Sequence, residues 1–190
     1  VPPDQEKWLF RLPQGFAVMA HPIVEHMKKN GVKTVGFLGY TDAYGESWLN
    51  DFKAQSQLLG GPQVVAVERF ARADTSVTGQ ALKLVAANPD AMLIVASGSG
   101  AAMPHKGVVE RGYKGKIYQT HAAASRDLVR VGGKDVEGAF VTSGPAVIPE
   151  QLPASHPSKA LAADFVAKYE KAYGAGSRNQ FGGHAYDAIV

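Results

Sequence analysis

The sequence lacks several features that would assign it to a specialised class of protein. Its 190 residues include no cysteine, which excludes disulfide cross-links and zinc–thiolate sites and suits an oxidising compartment where stray thiols mispair. No apolar run approaches the ~18 residues that a membrane-spanning helix needs. Hydrophobic residues make up 45% of the chain and charged residues 19%, a composition typical of a folded domain with a core. Disorder, collagen and coiled coil are therefore excluded.

Positive charge is neither strong nor concentrated. The formal net charge is only +3. The basic residues form scattered pairs, namely Lys28 with Lys29, Arg69 with Arg72, and Lys114 with Lys116. Because nucleic-acid-binding proteins usually concentrate their cations on one face, we interpret these pairs as solvated surface residues and expect no nucleic-acid partner.

The two ends of the chain resemble the interior of a longer sequence. Residues 1–7 lack the charged segment and following apolar segment of a signal peptide. The chain has no initiator methionine, and it stops within an apolar run at Val190. We therefore expect it to be a piece of a longer protein.

Apolar, β-branched segments alternate with amphipathic segments over most of the chain. Strands are predicted over residues 32–39, 63–70, 91–96, 116–120 and 137–143. Helices are predicted over residues 15–30, 43–59, 77–87, 101–111 and 125–131. Pro22 is expected to start, kink or shorten the first helix. The alternation predicts an α/β fold, a doubly wound parallel sheet over residues 14–145 with the usual strand order 2-1-3-4-5.

The pattern changes after Pro145. Prolines at positions 149, 153 and 157 indicate a crossing segment, and helices follow over residues 161–173 and from about Phe181. No strand follows these helices, so we expect the apolar side chains of Phe165, Tyr169 and Tyr186 to lack a partner sheet within this chain.

Ligands of open parallel sheets bind beyond the carboxyl ends of the strands, near the point where strand order reverses. Here that edge carries the loops at residues 39–45, 97–100, 120–124 and 144–146. The candidate ligand-binding residues in these loops are Thr41, Asp42, Tyr44, Gly98, Ser99, His121 and Ala122. The alternative is purely structural: Thr41 or Asp42 caps the following helix, and the glycines permit tight turns.

Motifs of enzymes are missing from the sequence. The segment from Gly98 to Met103 lacks the third glycine of a dinucleotide-binding loop, and there is no Walker loop. The residues around Ser99 do not form a nucleophile elbow. His21, Glu25 and His26 have the wrong spacing for a zincin site. We therefore expect neither catalysis nor a bound metal or cofactor.

Several motifs, in this order, resemble the periplasmic binding proteins of branched-chain amino acid type. They include Trp-Leu-Phe-Arg-Leu from Trp8, Asp-Ala-Tyr-Gly-Glu from Asp42, and Phe-Val-Ala-Lys-Tyr-Glu-Lys-Ala-Tyr-Gly from Phe165. Further matches are Gly-Tyr-Lys-Gly-Lys-Ile-Tyr from Gly112 and Ala-Tyr-Asp-Ala from Ala185. Their order and spacing cover nearly all of the chain.

The resemblance implies two α/β lobes with a ligand in the cleft between them. Residues 1–13 would then cross between the lobes, residues 14–145 form the ligand-binding lobe, and residues 146–190 form a crossing segment and helices of the N-terminal lobe. Tyr44 matches a tyrosine that faces the ligand. At Gly98 and Ser99 the amino-acid binders often have an aromatic residue, and at His121 an acidic residue that holds the ligand's ammonium group.

The function implied is that of a periplasmic solute-binding protein that delivers a small molecule to the permease of an ABC importer. A ligand-sensing receptor or regulator domain of the same fold is the alternative. We expect Tyr44, Ser99 and His121 to share one cleft surface, with Tyr44 and His121 less than about 15 Å apart. Histidine stands at position 121, where amino-acid binders often have an acidic residue, and Asp42, the only carboxylate of the edge loops, is better placed to cap the following helix. We therefore expect a small organic acid, above all an aromatic one, rather than leucine or its relatives. A protonated His121 would favour its binding below about pH 6.5.

Overall fold

Five parallel strands form one sheet in the computed structural model, which describes residues 6–8, 10 and 12–189. The strands are β1 (Thr34–Tyr40), β2 (Gln63–Phe70), β3 (Ala91–Val95), β4 (Lys116–Gln119) and β5 (Phe140–Val141). Their order in the sheet is β2-β1-β3-β4-β5, and every neighbouring pair is parallel. The predicted fold class and strand order are confirmed.

Seven α-helices accompany the sheet within the described residues. They are α1 (Phe16–Lys29), α2 (Ala43–Leu59), α3 (Thr78–Ala86), α4 (Ala102–Val109), α5 (Arg126–Gly132), α6 (Lys159–Tyr173) and α7 (Gln180–Asp187). Helix α1 runs through Pro22 without starting or stopping there. Within the described ranges, no helix combines the length and the apolar composition required to cross a bilayer.

Both faces of the sheet are buried because side chains alternate along each strand. Phe37 and Leu93 point to one face, where they join Phe52 in a core formed with α1 and α2. Leu38 and Ile94 point to the other face, in a core covered by α3, α4 and α5. This double coverage is why β3 reads as an uninterrupted apolar run.

Strand β5 is much shorter than predicted. Only Phe140 and Val141 pair with the sheet, opposite Tyr118 and Gln119 of β4. The residues before them form a 3-10 turn that ends at Val136, and Gly138 has a φ of +79°. The left-handed backbone at Gly138 is incompatible with a continuous strand.

Helices α6 and α7 follow the sheet, and no strand follows them in the part of the chain that the structure describes. Their aromatic side chains form a small cluster of their own. The ring of Phe165 is 5.4 Å from the ring of Tyr169 and 5.4 Å from that of Tyr186. The described residues provide no further strand for these helices, yet Phe165 is buried in this cluster, whereas Phe181 at the start of α7 stays exposed. The boundaries predicted near residues 13 and 145 stay predictions, and residues 1–5, 9, 11 and 190 lie outside the described residues.

Candidate ligand-binding site

Asp42 connects the end of β1 to the start of α2. One of its carboxylate oxygens accepts hydrogen bonds from the backbone N–H groups of Tyr44 and Gly45, at 3.0 and 3.1 Å. This satisfies two donors that the first turn of the helix leaves free. The predicted structural role of Asp42 as a cap is therefore present, and it places Tyr44 in the first turn of α2.

Tyr44 lies at the centre of the carboxyl edge of the sheet. Its hydroxyl oxygen is 2.7 Å from Oγ1 of Thr120, the residue that follows β4. Its ring is 5.4 Å from the ring of Phe16 and 6.3 Å from that of His121. Burial raises the pKa of Tyr44 to about 12, so the phenol is neutral at physiological pH.

His121 is a buried imidazole surrounded by aromatic rings. It begins the 3-10 turn His121–Ala123 after β4 and is only 5% exposed. The rings of Phe16 and Trp48 lie 6.1 and 5.7 Å from it. Its Nδ1 atom is buried and has no hydrogen-bond partner among the described residues. Such unpaired buried polar atoms are rare in folded proteins, so Nδ1 of His121 is a polar group that the described residues leave without a partner.

The expectation that His121 becomes protonated just below pH 6.5 is wrong. Desolvation by burial, with a smaller contribution from His184, lowers its pKa from 6.5 to about 4. The imidazole is therefore neutral near pH 6.5, where a positive charge was expected. The sequence could not show this, because the rings that exclude water from His121 come from α1 and α2.

A cavity of about 610 Å³ opens beside these side chains. Its walls combine aromatic rings with a few polar groups, in the size range of small-molecule sites. The lining residues are Pro13, Gln14, Gly15, Phe16, Ala17, Ala43, Tyr44, Ser47, Asp51, His121, Ala122, Phe181 and His184. Of the candidates from the sequence, Tyr44, His121 and Ala122 meet here.

The remaining candidates lie on the same sheet edge but do not line this cavity. Thr41 is exposed, and its backbone N–H donates to the carbonyl oxygen of Phe70. Gly98 begins a 3-10 turn with a φ of +51°, and Ser99 beside it is exposed. The predicted proximity of Tyr44 and His121 is present, whereas Ser99 faces a different part of the edge.

Arg72 connects the loops on this edge, although its pairing with Arg69 in the sequence predicts a solvated surface residue. Its Nε donates to a carboxylate oxygen of Asp42 at 2.6 Å, and its Nη1 donates to Oγ of Ser97 at 3.4 Å. Its guanidinium carbon lies 4.1 Å from the ring centre of Tyr40 and 5.9 Å from that of Tyr44, in the range of cation–π contacts. Arg72 thus ties the loop after β1 to the loop after β3.

The ion pair with Arg72 occupies the carboxylate of Asp42. Burial alone would raise the pKa of Asp42, but the hydrogen bonds from Arg72 and from the backbone of Gly45 and Tyr44 lower it overall. Asp42 is therefore ionised, capped onto α2 and paired with a guanidinium. It is poorly suited to compensate the ammonium group of a ligand.

Comparison with known proteins identifies the family. The family described as Periplasmic binding protein matches residues 1–190. The chain belongs to the type I periplasmic binding proteins. This is a family of ligand-binding proteins rather than of enzymes. A search of the curated proteins gave no match.

Solved structures of periplasmic binding proteins superpose closely on this one. A protein from Rhodopseudomonas palustris strain CGA009 is 50% identical, with a TM-score of 0.94, over 99% of this chain and 52% of its own. An extracellular ligand-binding receptor from R. palustris HaA2 is 51% identical, with a TM-score of 0.92 and the same coverage. A leucine binding protein from Thermotoga maritima MSB8 is 28% identical, with a TM-score of 0.75, over 92% of this chain and 47% of its own. The chain spans about half the length of these relatives.

Several residues of the site were not found from the sequence, among them Asp51 and Gln14 of the cavity wall. Arg72 lies in the loop after β2, which ends at Phe70 beside β1. This loop could therefore have been included among the edge loops. Phe16 lies on the apolar side of the first helix, a position that predicts a core residue rather than a ligand contact. Phe181 and His184 belong to α7, beyond the crossing segment, and no local pattern places them beside His121.

Proposed function

We propose that the chain is part of the solute-binding component of an ABC importer, located in the periplasm, and that a small organic acid binds in the cavity beside Tyr44 and His121. Membership of the periplasmic binding proteins and likeness to extracellular ligand-binding receptors support this role. The permease of the importer is the expected partner. Because the relatives are about twice as long, the other wall of the cleft is expected from the remaining part of their fold.

The observation that carries the ligand class is the neutral, unpartnered imidazole of His121 in an aromatic cavity. Phe16 and Tyr44 supply flat apolar area for a ligand ring or chain. His121 and the Tyr44 hydroxyl supply uncharged polar groups. Arg72, beside the Tyr44 ring, neutralises Asp42, so that carboxylate does not repel an anion. These groups suit an anion with an apolar body better than an ammonium group.

An amino acid is the second candidate, because the cavity also contains Asp51. This carboxylate is on the same face of α2 as Tyr44, seven residues later and therefore about 10 Å further along the helix axis. The leucine binding protein from T. maritima, at 28% identity, adds to this alternative. In this case Asp51 would compensate the ligand's ammonium group, which Asp42 cannot do.

Calorimetry on the full-length protein distinguishes the two classes of ligand. We expect benzoate or an aliphatic monocarboxylate to bind more tightly than leucine or valine. The variant Asp51→Asn should not weaken carboxylate binding and should strengthen it where Asp51 lies near the bound anion, because the substitution removes a like charge from the cavity wall. Tight leucine binding that Asp51→Asn abolishes, together with no heat from carboxylates, would establish the amino acid instead.

Binding of a carboxylate is expected to be independent of pH between 6 and 8. The pKa of His121 is about 4, so its charge does not change in this interval. Dissociation constants at pH 6, 7 and 8 should agree within about twofold. A gain in affinity of about tenfold per pH unit of acidification would show instead that the protonated imidazole binds the ligand.

The lowered pKa of His121 also stabilises the fold above pH 6.5, and this contribution is lost as the pH falls towards 4.

A further inference from the structure

A chain of polar side chains links α7 to two other segments, the one that precedes α1 and the one that follows β5. Gln180, at the start of α7, is only 3% exposed. Its Oε1 accepts a hydrogen bond from the backbone N–H of Gly144, at 3.3 Å. A backbone N–H can only donate, so this contact fixes which end of the Gln180 amide is the oxygen. The NH₂ group of Gln180 must therefore point the other way.

The orientation of Gln180 determines that of Gln14, which precedes α1. Nε2 of Gln180 lies 3.4 Å from Oε1 of Gln14 and donates to it. The oxygen of Gln14 is thus an acceptor shared with a second neighbour. That neighbour is Nε2 of His184, at 3.2 Å. Because two acceptors cannot form a hydrogen bond, Nε2 of His184 carries the hydrogen.

The imidazole of His184 then has one free acceptor. Burial lowers the pKa of His184, with a smaller opposing effect of Asp187, so the ring is neutral at physiological pH. In a neutral imidazole with its hydrogen on Nε2, Nδ1 carries a lone pair and no hydrogen. The contact between Nε2 of His184 and Nε2 of Gln180, at 3.5 Å, then joins two donors and is not a hydrogen bond.

His184 also lines the cavity that contains His121 and Tyr44. We propose that Gln180 and Gln14 hold His184 in the Nε2–H tautomer, so that its Nδ1 accepts a hydrogen bond from a hydroxyl group of the ligand. This proposal rests on the proposed function, because it assumes that the ligand occupies this cavity. His184 becomes a specificity-determining residue, and Gln180 and Gln14 become positioning residues that act through it.

The ligand class that follows is a hydroxylated organic acid. His184 is half-buried in this chain, and a ligand seated in the cavity would remove water from its Nδ1. An analogue that lacks the donor would then leave this acceptor desolvated without a partner and bind less tightly. A matched pair of probes is benzoate and 4-hydroxybenzoate, with 3-hydroxybenzoate covering a second position of the hydroxyl group. At least one hydroxylated probe should bind about tenfold or more tightly than benzoate.

The tautomer is tested directly by long-range ¹H–¹⁵N correlation spectra of the full-length protein at pH 7.5, without ligand. We expect the Nε2–H pattern for His184 in the wild type and a mixture of tautomers in Gln180→Leu. Gln14→Leu, at a half-buried position, should give the same mixture. It serves as the test if Gln180→Leu fails to fold. Gln57→Leu, at an exposed position, is the control and should leave the spectrum of His184 unchanged. An Nδ1–H pattern in the wild type, or no change in either positional variant, overturns the proposal.

The binding arm uses the same variants with the three benzoates. His184→Leu should remove the preference for the hydroxylated probe while benzoate itself still binds. His184→Asn, whose amide oxygen can take the place of Nδ1, should restore part of the preference. Equal affinities for all three probes in the wild type overturn the role of His184 in specificity. If none of them binds, the proposed ligand class has failed, and the tautomer spectra still decide whether Gln180 and Gln14 position His184.

Discussion

Replacing Gly45 by alanine is expected to cost at least ~3 kcal/mol of unfolding free energy, the upper end of the usual cost of overpacking. A Cβ atom at this position would lie 1.9 Å from the carbonyl oxygen of Tyr40 and 2.8 Å from its carbonyl carbon. These are backbone atoms of β1, so no side-chain rotation relieves the overlap. Either β1 or the first turn of α2 must move, and the hydrogen bond from Gly45 to Asp42 would be lost with it.

Gly79→Ala is the matched control for this substitution. Gly79 lies in the first turn of α3, and a Cβ atom there would meet nothing within 4 Å. Because glycine is the more flexible residue in the unfolded chain, alanine should stabilise the protein by roughly 0.5–1 kcal/mol. Urea unfolding of both variants of the full-length protein measures the difference. Equal stabilities would mean that the β1–α2 connection is not as tightly packed as the structure has it.

The close packing at Gly45 has a consequence for the site. It brings the start of α2 against the end of β1, and this places the Tyr44 ring beside both Phe16 and His121. A ligand-binding tyrosine held by the backbone of a sheet needs little reorganisation to bind. We therefore also expect Gly45→Ala to weaken ligand binding in any fraction that folds.

The lobe could be predicted from sequence because its signals are local and repeated. Apolar strands such as residues 91–95 alternate with helical periodicity, and the right-handed crossover rule leaves few topologies. The exception is β5, where Gly138 breaks the strand in a way that hydrophobicity does not reveal. An apolar run such as residues 137–143 predicts burial more reliably than it predicts strand length.

The site could be predicted only in part because it depends on long-range contacts. Tyr44 and His121 follow strand ends directly, so topology alone brings them together. Arg72 and His184 are placed by partners distant in the sequence, 30 residues for Arg72 with Asp42 and 170 for His184 with Gln14. The charge of His121 depends on burial by rings from two helices, which no spacing rule contains.

The variant Tyr44→Ala is expected to weaken ligand binding by about 30-fold or more, or ~2 kcal/mol, the scale at which buried aromatic residues contribute to binding sites. The substitution removes the ring that stands beside both Phe16 and His121. Tyr44→Phe keeps the ring and loses the hydroxyl group, both its contact with Thr120 and the polar group that we propose for the ligand. It should therefore cost ~1 kcal/mol, or about fivefold in affinity.

Tyr173→Ala is the control for general effects of removing a tyrosine, because Tyr173 is 71% exposed at the end of α6. The variant Tyr173→Ala should bind the ligand with the affinity of the wild type. Calorimetry with the tightest carboxylate probe gives the dissociation constants, and thermal unfolding shows whether each variant is folded. If folded Tyr44→Ala binds as tightly as Tyr173→Ala, the ligand does not contact Tyr44. Affinity should rise from Tyr44→Ala to Tyr44→Phe and from Tyr44→Phe to the wild type. A larger loss of affinity in Tyr44→Ala than in Tyr44→Phe assigns binding energy to the ring as well as to the hydroxyl group. An aromatic surface contributing in this way favours a ligand with a flat apolar body, as the walls of the cavity suggest.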